Sequence, residues 1–206
     1  MKIAIIDYGM GNLASVQKAC VSFGAKAEIT AHPRGLEGAD KIILPGVGAF
    51  GEAMHQLERI GLAGAIKNKI REGILFLGIC LGMQLLFERS QESRGVKGLG
   101  ILKGKVARFQ DNRIKVPHMG WNTIEIRKSK FENRNVLLKN MRDDSYVYFC
   151  HSYYVEPKDK TIVRGTTDYG VKFASLIAKD NIFGIQFHPE KSQMVGLKIL
   201  ENFINL

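Results

Sequence analysis

Short apolar segments alternate with amphipathic helical patterns through the first half of the chain. This alternation indicates right-handed crossovers and a parallel sheet that is covered by helices on both faces. The predicted strands are residues 2–6, 26–30, 41–44 and 74–79, and the predicted helices start at Asn12, Glu52 and Leu81. The apolar face of the first helix consists of Leu13, Val16, Cys20 and Phe23. We therefore expect Cys20 in the core.

The pattern changes between about residues 100 and 187, where alternating polar and apolar positions predict antiparallel strands added to the sheet. These strands are predicted at residues 105–109, 122–126, 146–155, 161–165 and 182–187. A final helix follows, with Val195, Ile199, Leu200 and Phe203 on its apolar side. The predicted fold class is α/β, with a central, mostly parallel sheet, helices on both faces and added antiparallel strands.

The composition is that of an ordinary globular chain. Its 206 residues, 45% of them hydrophobic, are enough for one domain spanning residues 1–206 with a sizeable core. The opening MKIAIIDYG leads directly into a strand pattern, so we expect no secretory signal and a cytoplasmic location. Three widely separated cysteines fit neither a disulfide framework nor a zinc motif.

The formal net charge of +10 suits an anionic partner in principle. The basic residues are nevertheless spread along the chain, and no helical pattern carries a basic stripe with interleaved aromatic residues. The densest group is Arg127, Lys128 and Lys130, in a predicted turn. The charge therefore favours a solvated basic face or an acidic protein partner over nucleic acid.

Residues 9–14 match the glycine-rich G-x-G-x-x-A turn of dinucleotide-binding proteins. The acidic residue that would bind a ribose hydroxyl is missing, because the second strand ends in Thr30, Ala31, His32 and Pro33. A tight turn in which Asn12 caps the following helix is the better interpretation.

The segment ILFLGICLGMQLLF, residues 74–87, is almost wholly apolar. With Gly73 its uncharged run is about 15 residues, against the roughly 20 that a membrane span needs. Gly78, Cys80 and Gly82 lie at two-residue spacing between a predicted strand and a predicted helix. A sharp turn of this kind presents its central residue as a nucleophile, and the flanking glycines remove side chains that would collide in the turn. The N-terminus of the following helix favours a thiolate over a thiol. A buried structural cysteine is the alternative.

Two further segments follow predicted strands and offer the other groups that a cysteine nucleophile needs. His188 and Glu190 place an imidazole beside a carboxylate that orients it. Residues 44–48, LPGVG, offer backbone N–H groups to a developing oxyanion, together with the N–H of Leu81. Because sites lie at the carboxyl ends of parallel strands, we expect a Cys–His–Glu triad there.

Six segments together resemble the class I, or triad, glutamine amidotransferases. Within that class the chain is most similar to the family of glutaminase subunits of imidazole glycerol phosphate synthase, an enzyme of histidine biosynthesis. The segments are DYGMGNL, LPGVGAFGEAM, GICLGMQLLFE, PHMGWN, FCHSYY and GIQFHPEKS. The resemblance covers essentially the whole length and implies a flavodoxin-like class I amidotransferase fold.

The resemblance implies a mechanism for glutamine hydrolysis. Cys80 attacks the side-chain amide carbon, and His188, oriented by Glu190, transfers the thiol proton to the departing ammonia. Water then hydrolyses the thioester on Cys80 and releases glutamate. The backbone N–H groups of Val47, Gly48 and Leu81 would bind the oxyanion.

The same resemblance implies a substrate pocket without a cofactor or a metal ion. Glu92 would bind the substrate ammonium, and backbone groups near Ser152 and Tyr153 its carboxylate. Gln84 lies one helical turn after Cys80 and would face the same pocket. The full implied set is Gly46, Gly48, Gln84, Glu92, His151, Ser152 and Tyr153.

The family pairs this subunit with a (β/α)8 barrel cyclase that consumes the ammonia, and neither nucleic acid nor a membrane is implied. The positions that match the interface with the cyclase are Asn12, Trp121, Tyr148 and Lys191. The resemblance further implies low activity until the partner binds its nucleotide. We expect the peptides of residues 46–48 to reorient before the oxyanion hole is complete.

Four alternatives remain open. A paralogous amidotransferase subunit could feed ammonia to a different synthase, and a free-standing thiol hydrolase of similar fold would act without a partner. In a non-catalytic binding subunit, Cys80 would be merely buried. A zinc site built from Cys80, His151 and His188 would lack local ligand spacing.

Overall fold

The computed structural model describes residues 1–110, 113–127 and 136–206. Lys128 and Lys130 of the predicted basic turn lie outside these residues. Within them, nine strands form one large sheet. Its parallel part contains β1 (Lys2–Ile6), β2 (Lys26–Thr30), β3 (Lys41–Leu44), β4 (Leu75–Ile79) and β12 (Ile182–Ile185). The predicted α/β fold class is thereby confirmed.

Helices cover both faces of the sheet because alternate residues of each strand point to opposite sides. Ala4 and Ile6 of β1 belong to one buried apolar cluster, and Ile3 and Ile5 to the other. The first cluster contains residues of α2 (Phe50–Arg59) and α3 (Leu62–Arg71), and the second residues of α1 (Leu13–Ser22) and α5 (Gln193–Ile204). Cys20 lies in the second cluster as predicted, and burial raises the pKa of its thiol to about 12.

The sheet continues from β12 through four antiparallel strands. These are β11 (Lys172–Lys179), β10 (Val163–Asp168), β7 (His118–Ile126) and β8 (Ser145–His151). The order of the strands in the sheet is β2-β1-β3-β4-β12-β11-β10-β7-β8. The prediction that residues 182–187 form an antiparallel addition is confirmed on one side only, because β12 pairs antiparallel with β11 but parallel with β4. Strand direction is set by pairing between distant segments, which an alternating pattern does not encode. The parallel pairing of β12 with β4 puts the carboxyl ends of these two strands side by side.

A second sheet contains β5 (Arg89–Ser90), β6 (Gly104–Arg108) and β9 (Tyr153–Pro157). The strand predicted at 146–155 is therefore two strands, interrupted at Ser152. β8 pairs with β7 in the large sheet, whereas β9 pairs with β6 in the small one. The prediction that residues 105–109 extend the large sheet was accordingly wrong.

The structure adds detail that the sequence pattern missed. α3 is a separate helix, β11 had no predicted counterpart, and α4 (Leu81–Gln84) is a single turn. Asn12 lies at the N-cap position of α1, but its side chain makes no capping hydrogen bond, so the predicted cap was wrong. No helix within the described residues is long and apolar enough to span a membrane.

Candidate active site

Cys80 lies in a strained turn between β4 and α4. Its backbone has φ 54° and ψ −108°, a conformation that side-chain-bearing residues rarely adopt outside functional sites. The flanking glycines permit this turn because a Cβ atom at Gly78 would lie 2.6 Å from the carbonyl oxygen of Gly82, and one at Gly82 would lie 1.8 Å from the carbonyl oxygen of Leu44. The side chain of Cys80 is held at the start of α4, as the glycine spacing predicted.

His188 and Glu190 follow β12 and are brought beside Cys80 because β12 pairs with β4. Nδ1 of His188 donates to Oε1 of Glu190 at 3.0 Å, which leaves Nε2 for the sulfur. Burial lowers the pKa of His188, but hydrogen bonds to Cys80 and Glu190 and their charges outweigh it and raise the pKa to about 10. The imidazole is therefore cationic at neutral pH, the arrangement that activates cysteine nucleophiles.

Gln186 is a site residue that the sequence reasoning missed. It is fully buried, and its Nε2 donates to the sulfur of Cys80 at 3.6 Å. In its protonated form the sulfur donates to the carbonyl oxygen of Cys150 at 3.9 Å. A signal was present, because Gln186 precedes His188 by two residues and so shares its side of the chain.

The segment 46–48 lies next to the start of α4. The N–H of Leu81 donates to the carbonyl oxygen of Gly46 at 3.3 Å. The side chain of Val47 is exposed, and Gly48 has φ 95°. In this state one predicted oxyanion donor is therefore occupied by a backbone carbonyl.

The other residues of the implied substrate pocket are held by hydrogen bonds around the same region. Gln84 Nε2 donates to the carbonyl oxygen of Tyr153 at 2.9 Å and to Oε1 of Gln186 at 3.2 Å. The carbonyl oxygen of Ser152 accepts from the N–H of Phe109 at 3.3 Å. Glu92 Oε2 accepts from the N–H of Phe50 at 2.7 Å, which places this carboxylate directly after the 46–48 segment, at the start of α2.

His151 belongs to a buried chain of hydrogen bonds. The carbonyl oxygen of Tyr153 can only accept, so it determines which atom donates in each bond of the chain. Nδ1 of His151 lies 2.8 Å from the carbonyl oxygen of Tyr153 and must donate to it. Nε2 then accepts from Nδ1 of His118 at 3.1 Å. Nε2 of His118 in turn accepts from Nδ2 of Asn122 at 3.4 Å. Both imidazoles are therefore neutral, and the chain joins β7 to the carbonyl that also holds Gln84.

The buried histidine pair is expected to make the fold sensitive to acid. Burial lowers the pKa of His118 to about 4. Burial, followed by the charges of His118 and His188, lowers the pKa of His151 to about 3 despite the bond to Tyr153. The folded state therefore binds fewer protons than the unfolded state below pH 6.5, and stability falls as the pH falls. At pH 5 the loss is about 2 kcal/mol per ring, 1.5 pH units at about 1.4 kcal/mol each.

Urea unfolding of the protein and its variants at pH 8 and pH 5 measures the contribution of His118. His188, with its raised pKa, adds stability as the pH falls over the same range, so the comparison between variants isolates the buried pair. The pH-dependent loss of stability should be about 2 kcal/mol smaller in His118→Gln than in the unsubstituted protein, whereas His55→Gln, on the exposed side of α2, should leave it unchanged. Equal pH dependence in the protein and in His118→Gln would show that His118 is not held neutral.

Three of the four implied interface residues form one surface. Trp121 and Tyr148 face each other across β7 and β8, with ring centroids 6.0 Å apart. Nζ of Lys191 lies 5.7 Å from the centroid of the Tyr148 ring. The side chain of Trp121 is 46% exposed. Asn12 is half-buried at the N-cap position of α1, and α1 contacts the turn of residues 189–191 that contains Lys191.

No group of three or more histidine, cysteine or acidic side chains within the described residues is arranged to hold a metal ion. Cys20, Cys80 and Cys150 are free thiols.

Residues 4–206 match the sequence model of the family described as glutamine amidotransferase class-I, so the chain belongs to that class. Two solved structures share the fold: a glutamine amidotransferase (TM-score 0.76, 16% identity, 99% of both chains) and PurLQS from Thermotoga maritima (TM-score 0.76, 18% identity, 99% of this chain and 97% of that one). Identity at this level supports the fold alone.

The sequence relatives are much closer. The imidazole glycerol phosphate synthase subunit HisH of Methanocaldococcus jannaschii is 52% identical over 99% of both chains. HisH of Geobacter sulfurreducens is 50% identical, over 98% of this chain and 97% of that one. The chain is thus a member of the HisH family of imidazole glycerol phosphate synthase subunits, which confirms the resemblance noted in its motifs.

Proposed function

We propose that this chain hydrolyses L-glutamine to glutamate and ammonia through a thioester on Cys80. It passes the ammonia to a (β/α)8 cyclase subunit, which makes imidazole glycerol phosphate and aminoimidazole carboxamide ribotide in histidine biosynthesis. The observation that carries the proposal is the strained Cys80 turn beside the buried pair of His188 and Glu190.

The chemistry follows from that pair. The sulfur of Cys80 attacks the amide carbon of glutamine, and the C–N bond breaks as His188 gives a proton to the leaving ammonia. Glu190 keeps the imidazole oriented and stabilises its charge. Water then attacks the thioester and gives its proton to His188, so that the C–S bond breaks and glutamate leaves.

The resting state has the oxyanion hole incomplete, which is consistent with weak activity of the chain alone. The Leu81 N–H donates to the Gly46 carbonyl, so it is not available to a tetrahedral intermediate. The Gly46 carbonyl must turn away before Leu81 and the N–H groups of Val47 and Gly48 act together. Gln84, Glu92 and the backbone near Tyr153 would then hold the substrate.

A partner docked at the surface of Trp121, Tyr148 and Lys191 would lie close to the catalytic histidine. The carbonyl oxygen of Tyr148 accepts from the N–H of His188 at 2.9 Å, and the Tyr148 N–H donates to Oγ of Ser192 at 2.9 Å. These backbone bonds connect the surface to the triad. The proposal therefore assigns this surface, together with Asn12, to the cyclase.

We further propose that the chain acts as a single amidotransferase domain in the cytoplasm. The family match over residues 4–206 and the three free thiols support this, because unpaired cysteines suit a reducing compartment.

Glutamine hydrolysis by the purified chain, alone and with the cyclase subunit and its nucleotide substrate, tests the proposal. We expect weak turnover alone, strong stimulation in the complex, and labelling of Cys80 by a diazo-ketone analogue of glutamine. Full turnover without the cyclase would favour a free-standing thiol hydrolase. Failure of labelling and turnover in the complex would favour a non-catalytic subunit, and stimulation by another synthase would favour a paralogue.

A further inference from the structure

Tyr8 carries a buried hydroxyl with an unmet hydrogen-bonding requirement. Its side chain is 4% exposed, and the hydroxyl oxygen has no hydrogen-bond partner among the described residues. Burial raises the pKa of the phenol well above its usual range, and the nearby charge of Cys80 raises it further. The hydroxyl is therefore a protonated donor with nothing to donate to, which is rare for a buried polar group.

The position of this hydroxyl is specific. Tyr8 follows β1 at the same end of the sheet as Cys80, because β1 and β4 both pair in parallel with β3. A Cβ atom built on Gly46 would lie 2.0 Å from the Tyr8 oxygen and 3.2 Å from Cβ of Leu81. The hydroxyl thus packs directly on the α-carbon of Gly46, between β1 and the start of α4.

The Gly46 carbonyl needs a second hydrogen-bond donor in the active form. It accepts from the Leu81 N–H in this structure, and the proposed function requires that N–H for the oxyanion. Gly46 is buried, so a carbonyl that turns away from Leu81 must find another donor or remain unsatisfied. The unengaged donor that touches Gly46 is the Tyr8 hydroxyl.

We propose that Tyr8 is a positioning residue for the oxyanion hole, an inference that rests on the proposed function. Its hydroxyl donates to the Gly46 carbonyl in the active form and so frees the Leu81 N–H for the tetrahedral intermediate. Rotation of the Gly46 carbonyl toward Tyr8 would give a hydrogen-bond partner both to that carbonyl and to the Tyr8 hydroxyl. The absence of a side chain at Gly46 lets the hydroxyl approach the peptide that turns.

The test is the Tyr8→Phe variant in complex with the cyclase subunit and its nucleotide substrate. The variant keeps the ring and removes only the hydroxyl, so kcat for glutamine hydrolysis should fall about tenfold, the value of one hydrogen bond made in the active form. KM should stay within about twofold. The thermal midpoint should not fall, because the lost hydroxyl has no partner in the resting structure.

Tyr154→Phe is the matched control. The Tyr154 hydroxyl donates to Oε1 of Glu156 on β9, and its removal should leave kcat in the complex unchanged.

An unchanged kcat in Tyr8→Phe, beside an active unsubstituted complex, would overturn the inference and leave the proposed function intact. A rise in KM with unchanged kcat would also overturn it, since the hydroxyl would then contact the substrate. If the unsubstituted complex itself released no glutamate, the proposed function would fail first, and the inference with it.

Discussion

Replacing Cys80 with serine is expected to reduce glutamine hydrolysis in the cyclase complex on the order of 10⁴-fold or more, the usual cost of losing a nucleophile that acts with its histidine as a unit. Although burial lowers the pKa of His188, hydrogen bonds to Cys80 and Glu190 and their charges raise it to about 10. A serine hydroxyl ionises far less readily than a thiol, so it would form no such ion pair with His188 and would remain weakly nucleophilic. Turnover measured as glutamate release gives the result.

The same experiment carries its own controls. Cys80 is only 4% exposed, so the substitution leaves the surface of Trp121, Tyr148 and Lys191 unchanged and the serine variant should still bind the cyclase. Cys150→Ser tests whether the loss of turnover is specific to the Cys80 thiol. Cys150 contacts Cys80 through its carbonyl oxygen and not its side chain, so this variant should keep its turnover. Comparable turnover in Cys80→Ser and the unsubstituted protein would rule out the thioester.

Replacing Gly82 with alanine is expected to cost about 3 kcal/mol of stability and most of the turnover. The added Cβ atom would lie 1.8 Å from the carbonyl oxygen of Leu44. Leu44 ends β3, and its backbone is held in the sheet beside β4, so neither strand can move without loss of hydrogen bonds or packing. Relief of the clash would displace α4 and with it the Cys80 turn. Urea unfolding and glutamine hydrolysis measure the two effects.

Gly64→Ala is the matched control for that variant. Gly64 is exposed in α3, and a Cβ atom there would meet nothing within 4 Å. Alanine should stabilise the helix by about 0.5 kcal/mol. If both alanine variants had equal stability and turnover, close packing at Gly82 would not be what holds the turn.

Local features of this protein could be predicted from its sequence because their causes are local. The parallel strands β1 to β4 follow from apolar runs between helical patterns. The Gly78–Cys80–Gly82 turn follows from the need for space on both sides of one residue. His188 and Glu190 are separated by two positions, so their contact also depends on short-range geometry.

The alternating pattern failed where pairing partners decide the structure. It predicted one strand over 146–155, although the chain crosses from the large sheet to the small one at Ser152. It also missed the parallel pairing of β12 with β4, although the antiparallel pairing of β12 with β11 agrees with it. Period-2 patterning reports which side of a strand is buried, and it carries no information on which strand lies beside it.

The sequence by itself determined the class of fold, the Cys80 turn and the identity of the groups available for chemistry, because each depends on residues close together in the chain. Only the tertiary structure decided that β12 lies against β4, that His118 donates to His151, and that the Gly46 carbonyl accepts from the Leu81 N–H beneath the Tyr8 hydroxyl, which has no partner among the described residues. These contacts join segments that are up to about 100 residues apart. They exist because burial forces each polar group to find its partner among whatever the packed elements bring near.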